Sequence, residues 1–309
     1  MKKAFYLLAS AAAIVLAAAC NKVASTEADT FDATFTVNLE QPMTKAVFSD
    51  GTSATQLQVL VYTGKEYLPN VSQTALTINM KTTVTLKLVK GKTYDIVFWA
   101  QNAAGPYTID RENATMTVAT AGAANDETRD AFYRLYNTGK VTGPIEETIE
   151  LRRPFAQINV FTTEADYAAA QDSKVNFTES GMKLTAPTVL NMLTGEATTP
   201  KEYVFTHAAI NVDEQTKIAG YKYIAMNYVL ATTGGENTKV NFSVWTDSPA
   251  VLLNEDLNVD NVPFKRNYRT NIMGNIFAVD GKFNVIIVPE YEKPDFEVTY
   301  TTPDATVTP

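Results

Sequence analysis

Few side chains in this 309-residue sequence are set up for covalent or acid–base chemistry, and the one with a defined setting is Cys20. It is the only cysteine, and Ala17, Ala18 and Ala19 lead into it. Ahead of them stand a cationic start at Lys2 and Lys3 and an apolar run from Phe5 to Leu16, broken only by Ser10. That order is a secretory signal, residues 1–19, ending in a bacterial lipoprotein processing site. After cleavage the thiol of Cys20 carries diacylglycerol and its new amino group a further acyl chain, which together hold a protein on a membrane more firmly than one chain does. The alternative is an ordinary signal with an incidental cysteine, and the placement directly after three alanines favours lipidation.

The other reactive types lack partners. A histidine-based triad has only His207 to draw on, between Thr206 and Ala208, and no Gly-x-Ser-x-Gly element accompanies it. Asn254, Asp256, Asn258 and Asp260 alternate as calcium ligands can, yet Val259 and Lys265 stand where an EF-hand needs its glycine and closing glutamate. Alternation is also what a solvated strand face requires, and that is the reading taken. Glu146 and Glu147 are adjacent carboxylates without a recognisable partner, so surface charge is expected of them. Arg152, Arg153, Arg266 and Arg269 lie among strand residues, where they should cover apolar edges and pair with local acids. No catalytic residue, metal site or cofactor is implied.

Composition narrows the rest. Removing residues 1–19 leaves 290, enough for two domains with their own cores. Losing Lys2 and Lys3 takes the net charge from −8 to −10, which argues against a nucleic-acid partner. With no thiol besides the lipidated one, no disulfide is available and stability rests on packing. No later apolar run approaches the ~18 residues of a membrane span, so the acyl chains are the expected membrane attachment.

The elements that position these residues read mostly as strands. Residues 20–30 are small and polar, a tether. Phe31, Ala33, Phe35, Val37 and Leu39 alternate with polar residues and share one face of a first strand. Strands follow at Leu57 to Tyr62, Thr82 to Val89 and Tyr94 to Ala100, the last two expected to form a hairpin across Lys90-Gly91-Lys92. Ala103 to Asp110 reads as loop, and Asn125 to Asn137 is ambiguous between a helix and an irregular segment. Thr142-Gly143-Pro144 marks the expected boundary between an N-terminal domain, residues 31–143, and a C-terminal one, residues 144–290. Pro154 interrupts a strand within Glu147 to Phe161, and Thr163 opens a short helix. Further strands are expected at Val175 to Thr178, Tyr203 to Thr206, Tyr221 to Leu230, Lys239 to Trp245 and Ala250 to Leu257, with Gly234-Gly235 as a hairpin turn. Arg266 to Phe277 and Lys282 to Val288 form a last hairpin, and residues 291–309 are a Thr- and Pro-rich tail.

Several stretches together resemble the fimbrillin-like surface lipoproteins of Gram-negative gut and oral bacteria, the subunits and relatives of type V pili. They are Met43-Thr-Lys-Ala-Val-Phe-Ser-Asp50, Leu57 to Gly64, Leu151-Arg-Arg-Pro-Phe-Ala-Gln-Ile-Asn-Val160 and, most specifically, Asn261 to Asn275. The resemblance implies an all-β fold of two tandem transthyretin-like Greek-key β-sandwich domains with one or two short helices. It also implies delivery to the outer membrane and cell surface through Cys20, then proteolysis after the first strand, which releases the lipid and that strand together. Lys45 and Ala46 flank the matching bond, with Lys45 standing where the family has arginine, so a Lys-tolerant protease is required. Losing Phe31 to Leu39 would open an apolar groove for a strand of another fimbrial subunit. The alternative is a non-polymerising surface lipoprotein that binds a glycan or host protein through the loops at Ala103 to Asp110 and Leu193 to Pro200. Neither reading involves catalysis.

Overall fold

The alternation from Phe31 to Leu39 folds as a strand, β1 (Thr30–Leu39), and its apolar positions all turn to one side because successive strand side chains point to opposite faces. The computed structural model describes residues 29–40, 49–172, 177–209, 218–246, 252–277 and 283–288. In order, β2 (Gln56–Thr63), β3 (Glu66–Tyr67), β4 (Gln73–Thr77), β5 (Lys81–Val89) and β6 (Thr93–Gln101) follow. Then come β7 (Tyr107–Asp110), β8 (Thr115–Val118), β9 (Ala121–Ala123), β10 (Phe132–Lys140) and β11 (Ile145–Leu151). The second half holds β12 (Phe155–Thr163), α1 (Glu164–Asp172), β13 (Phe177–Asn191), β14 (Ala197–Ala209) and β15 (Tyr221–Leu230). It closes with β16 (Glu236–Thr246), β17 (Leu252–Phe264), β18 (Arg269–Gly274) and β19 (Phe283–Val288).

These strands make two sandwiches, as the all-β reading expects. In the first, the sheet β11-β1-β5 faces the sheet β10-β6-β2-β3, with β4 beside β2. In the second, β15-β12-β18-β19 faces β17-β16-β13-β14-β9, and β8 and β7 extend from β13. The inner sheet of the first sandwich is buried on both sides. Val59, Val61, Ile96 and Phe98 enter its own core, whereas Leu60, Tyr62, Val97 and Trp99 join the core of the second sandwich. That double burial is why β6 reads as a continuous apolar run and β5, exposed on one face, reads as alternating.

Two expected hairpins are corrected. The Lys90-Gly91-Lys92 turn joins β5 and β6, which lie in facing sheets, and β5 pairs with β1 while β6 pairs with β2 and β10. Gly234-Gly235 likewise joins β15 to β16 across the second sandwich. Tight turns serve either purpose, and what separates the cases is which core each flanking strand fills.

The boundary expected at residues 143 and 144 is also displaced. β11 pairs in parallel with β1, so Thr142-Gly143-Pro144 is a turn inside the first sandwich, and strand pairing changes sandwich at Arg152 to Pro154. Pro154 therefore separates two strands, since it offers no amide to extend a ladder. Pairing also places β8 and β9, from residues 115–123, against β13 and β14 of the second sandwich.

Asn125 to Asn137 is a single 3₁₀ turn, Glu127–Arg129, followed by β10. β7 and β14 begin inside the two stretches expected to be loops, leaving residues 192–196 as the turn between β13 and β14. β13 runs 15 residues through Gly181 and Pro187, which hid it in the sequence. Thr163 opens α1 as expected, its hydroxyl accepting from Asp166 N at 3.1 Å.

Candidate functional site

β1 is a central strand. It pairs in parallel with β11, Phe35 opposite Glu147 and Val37 opposite Ile149, and antiparallel with β5, Phe35 opposite Val84. Its inward residues Ala33, Phe35 and Val37 are 0% exposed and Leu39 is 3% exposed, while Phe31 is half-buried at the rim. The Phe35 ring meets Phe98 edge-on at 5.3 Å and Tyr136 at 5.4 Å, so the largest fully buried side chain of the strand is held by rings of the facing sheet. The outward face is polar: Asp32 pairs with Lys87, and the hydroxyls of Thr34 and Thr85 lie 3.1 Å apart. Taking β1 away would strip partners from both neighbouring strands and open a groove the shape of Ala33, Phe35, Val37 and Leu39.

Beyond β1 the chain is gripped on both sides of residues 41–48. On the near side Glu40 is 1% exposed. Its amide donates to Leu151 O at 3.0 Å, its Oε1 accepts from Asn267 Nδ2 at 3.1 Å, and Arg152 Nε stands 3.7 Å away. On the far side Ser49 is fully buried and takes the left-handed backbone, φ 61°, which a residue with a Cβ rarely adopts. Every polar atom of Ser49 is used. Its amide donates to Glu127 Oε2 at 3.0 Å, its hydroxyl donates to Gln157 Oε1 at 2.8 Å and lies 2.8 Å from the Tyr228 hydroxyl, and its carbonyl accepts from Arg153 Nη2 at 2.7 Å. Arg153 N donates to Asn267 Oδ1 at 3.2 Å, so Asn267 and Arg153 tie one grip to the other.

Arg153 is the centre of this clasp. It is 0% exposed, makes a bidentate pair with Asp130 through Nε at 2.7 Å and Nη2 at 2.8 Å, and lies 4.3 Å over the Phe132 ring. Burial pushes the Asp130 carboxyl up and the Arg153 guanidinium pulls it back. Glu127, only partly accessible, has its carboxyl raised to about 8 by burial and then by the Asp130 charge. The 3₁₀ turn that brings both acids in is fixed by Asp126, whose Oδ1 accepts from Thr128 N at 2.9 Å and from its hydroxyl at 2.6 Å.

Of the residues singled out in the sequence, Phe31, Ala33, Phe35, Val37 and Leu39 stand together on β1. Cys20, Lys45 and Ala46 lie outside the described residues. Arg152 and Arg153 pair with acids as expected, but those acids are the buried Glu40 and Asp130. His207 lies on β14, stacked on Trp245 at 4.6 Å and bonded to Glu179. Glu146 and Glu147 are exposed on β11. Sequence reading missed Glu40, Ser49, Glu127, Asp130 and Asn267 as a group. A signal was present nonetheless, because three of the quoted segments meet at the clasp, contributing Ser49, then Arg152 with Arg153 and Gln157, then Asn267.

Fold and site together define a tandem β-sandwich protein in which the first strand completes one core and is fastened at its end to the other sandwich. The chain belongs to the family described as a family of unknown function, DUF6562, whose model matches residues 25–308. No curated protein matches the sequence. Among solved structures, a protein of Bacteroides thetaiotaomicron provisionally described as polysaccharide binding is similar with a TM-score of 0.50 and 10% identity, covering 82% of this chain and 95% of that one. The fimbrial anchor protein Mfa2 of Porphyromonas gingivalis gives a TM-score of 0.47 at 11% identity, covering 83% and 97%. The tip fimbrial protein Mfa3 of the same organism gives 0.44 at 12%, covering 84% and 99%. At these identities the first of them establishes a shared fold.

Proposed function

We propose that the protein is a structural or adhesive component of a fimbria or pilus, delivered to the outer membrane as a lipoprotein through Cys20 and assembled with other subunits at the cell surface. In this reading proteolysis between Lys45 and Ala46 releases the lipid with β1, and a strand from a neighbouring subunit fills the groove by β-augmentation. The observation that carries it is the position of β1: a first strand, paired on both edges, that supplies Ala33, Phe35, Val37 and Leu39 to a core whose remaining residues come from later in the chain. The cut would fall between the two grips, so Glu40 would leave with β1 while Ser49, Arg153 and Asp130 stayed in the body. No step of this role needs a catalytic group or a cofactor.

The test is the N-terminal sequence and acyl content of the protein taken from cells. The reading expects a form beginning at Ala46 without lipid, ladders in mild detergent, and loss of both in Lys45→Ala. A protein that always keeps its acyl chains and residues 20–45 overturns it.

One observation favours a second reading, a surface lipoprotein that retains β1 and binds a glycan or host protein without polymerising. The residue after β1, Glu40, is fastened to the second sandwich through Asn267 and stands beside Arg152, which opposes release of the strand. The same experiment separates the two.

A further inference from the structure

The geometry points to a binding site for a carboxylate-bearing sugar in the cleft where the two sandwiches meet. The cleft has a volume of about 380 Å³, within the range of small-ligand sites. Its walls include Tyr133, Arg134, Arg152, Thr194, Arg266 and Tyr268, and the lining contains neither Asp nor Glu. The chain has seven arginines and a net charge of −8, yet four of those arginines, Arg153 among them, line this one cleft. Guanidinium groups without an acidic partner suit recognition of an anion, since a planar fork matches two carboxylate oxygens.

Two of the four are spoken for by Asp130 and Glu40, but among the described residues Arg134 and Arg266 make no ion pair. Arg266 is held in place by backbone: Nη2 donates to Gly195 O at 2.6 Å and Nε to Ala231 O at 3.3 Å, so its plane is set before a ligand arrives. Burial lowers its pKa, which marks a charge kept out of water without a counter-charge. Arg134 is exposed on β10 beside Tyr133, whose hydroxyl donates to Met192 O at 2.7 Å and fixes the ring. Tyr133, Leu135 and Tyr268 supply apolar surface for the C–H faces of a sugar ring, and Thr194 and Thr233 supply hydroxyls for its hydroxyl groups. The site needs no cleavage and no strand exchange, and Arg134 and Arg266, on which it rests, have no contact with β1 or Glu40 among the bonds described above.

The experiment is calorimetric titration of the full mature chain with digalacturonate, a glucuronate-containing disaccharide and sialyllactose, beside neutral disaccharides and sodium sulfate. Binding of at least one acidic sugar is expected, with none of the neutral counterparts. Arg134→Gln should weaken it about tenfold or more, Arg134→Glu should abolish it, and Lys140→Glu, at the far end of β10, should leave it unchanged. Thermal unfolding of each variant checks that the fold is kept, and Arg134 is exposed enough that it should be. No binding of any acidic sugar at about 10 mM overturns the proposal, as does equal binding of neutral sugars or indifference to Arg134→Glu. Sulfate binding as tightly as the sugar acids would reduce the site to a bare anion site and overturn the sugar assignment.

Discussion

Asn267 and Glu40, separated by 227 positions in the chain, meet through a hydrogen bond of 3.1 Å from Asn267 Nδ2 to Glu40 Oε1. The residue that follows β1 is thus fixed by the segment just before β18, and the same asparagine accepts from the Arg153 amide. Asn267→Ala should leave the buried Glu40 carboxylate short of a donor. A loss of about 1–3 kcal/mol is expected in urea unfolding, with faster proteolysis at residues 41–48 as the companion readout.

The Arg153 and Asp130 pair makes a sharper test. Arg153→Leu strands a buried carboxylate and should cost about 3–5 kcal/mol, whereas Arg153→Leu with Asp130→Leu should recover much of that loss. Recovery would show in the denaturant midpoint. A double variant no better than the single one would mean that the bond from Arg153 to Ser49 O matters more than the charge pair.

Phe35 tests whether β1 belongs to the core. Phe35→Ala should destabilise the uncut protein by about 3–5 kcal/mol, and Phe35→Asp should prevent folding, because no partner for a charge exists among Phe98, Tyr136 and their neighbours. Normal surface levels of Phe35→Asp would remove β1 from the core.

Glu127 sets a pH dependence. Its carboxyl is raised to about 8 from 4.5 in the unfolded chain, so between those values the folded protein keeps a proton that the unfolded one has released. Stability from this group is complete below about pH 4.5 and is lost as pH rises toward about 8. Glu127→Gln, which mimics the protonated form, should flatten that decline in melting temperatures measured across about pH 5 to about pH 8.

Gly122 is open to a steric test. An added Cβ would collide with Arg129 Nη2, which donates to Ala121 O at 2.9 Å while Nη1 donates to Ala119 O at 3.1 Å. Gly122→Ala should therefore cost about 1–3 kcal/mol, and Gly143→Ala, with nothing within 4 Å of its new Cβ, should be near neutral in the same melts.

What the sequence revealed depended on how far each residue's partners lie. β1 was legible because alternation is a local property, and α1 because Thr163 caps its own turn. Tight turns such as Lys90-Gly91-Lys92 were legible as turns but not as crossings between sheets, since the destination of the next strand is decided by burial on both of its faces. β13 was obscured by Gly181 and Pro187, tolerated there because Gly181 admits the Trp245 ring and Pro187 sits opposite Pro200. The clasp was hardest to see. Ser49, Glu127 and Asn267 are ordinary polar residues until three distant segments bury them together, and only the order of the quoted segments hinted that they would.

The parallel partnership of β1 with β11 has a consequence in time. Ala33 waits for Ile145, a residue about 110 positions later, and such distant contacts are slow to form because a long loop must close before they reward it. The edge of β1 that meets β11 is then seated late, after the facing sheet and the pairing with β5, whose only strand partner among the described residues is β1, have formed. Pulse-labelled hydrogen exchange during refolding should find the β1 amides protected after those of β2 and β6. Losing β1 would therefore undo a pairing made late and leave β5 without its strand partner.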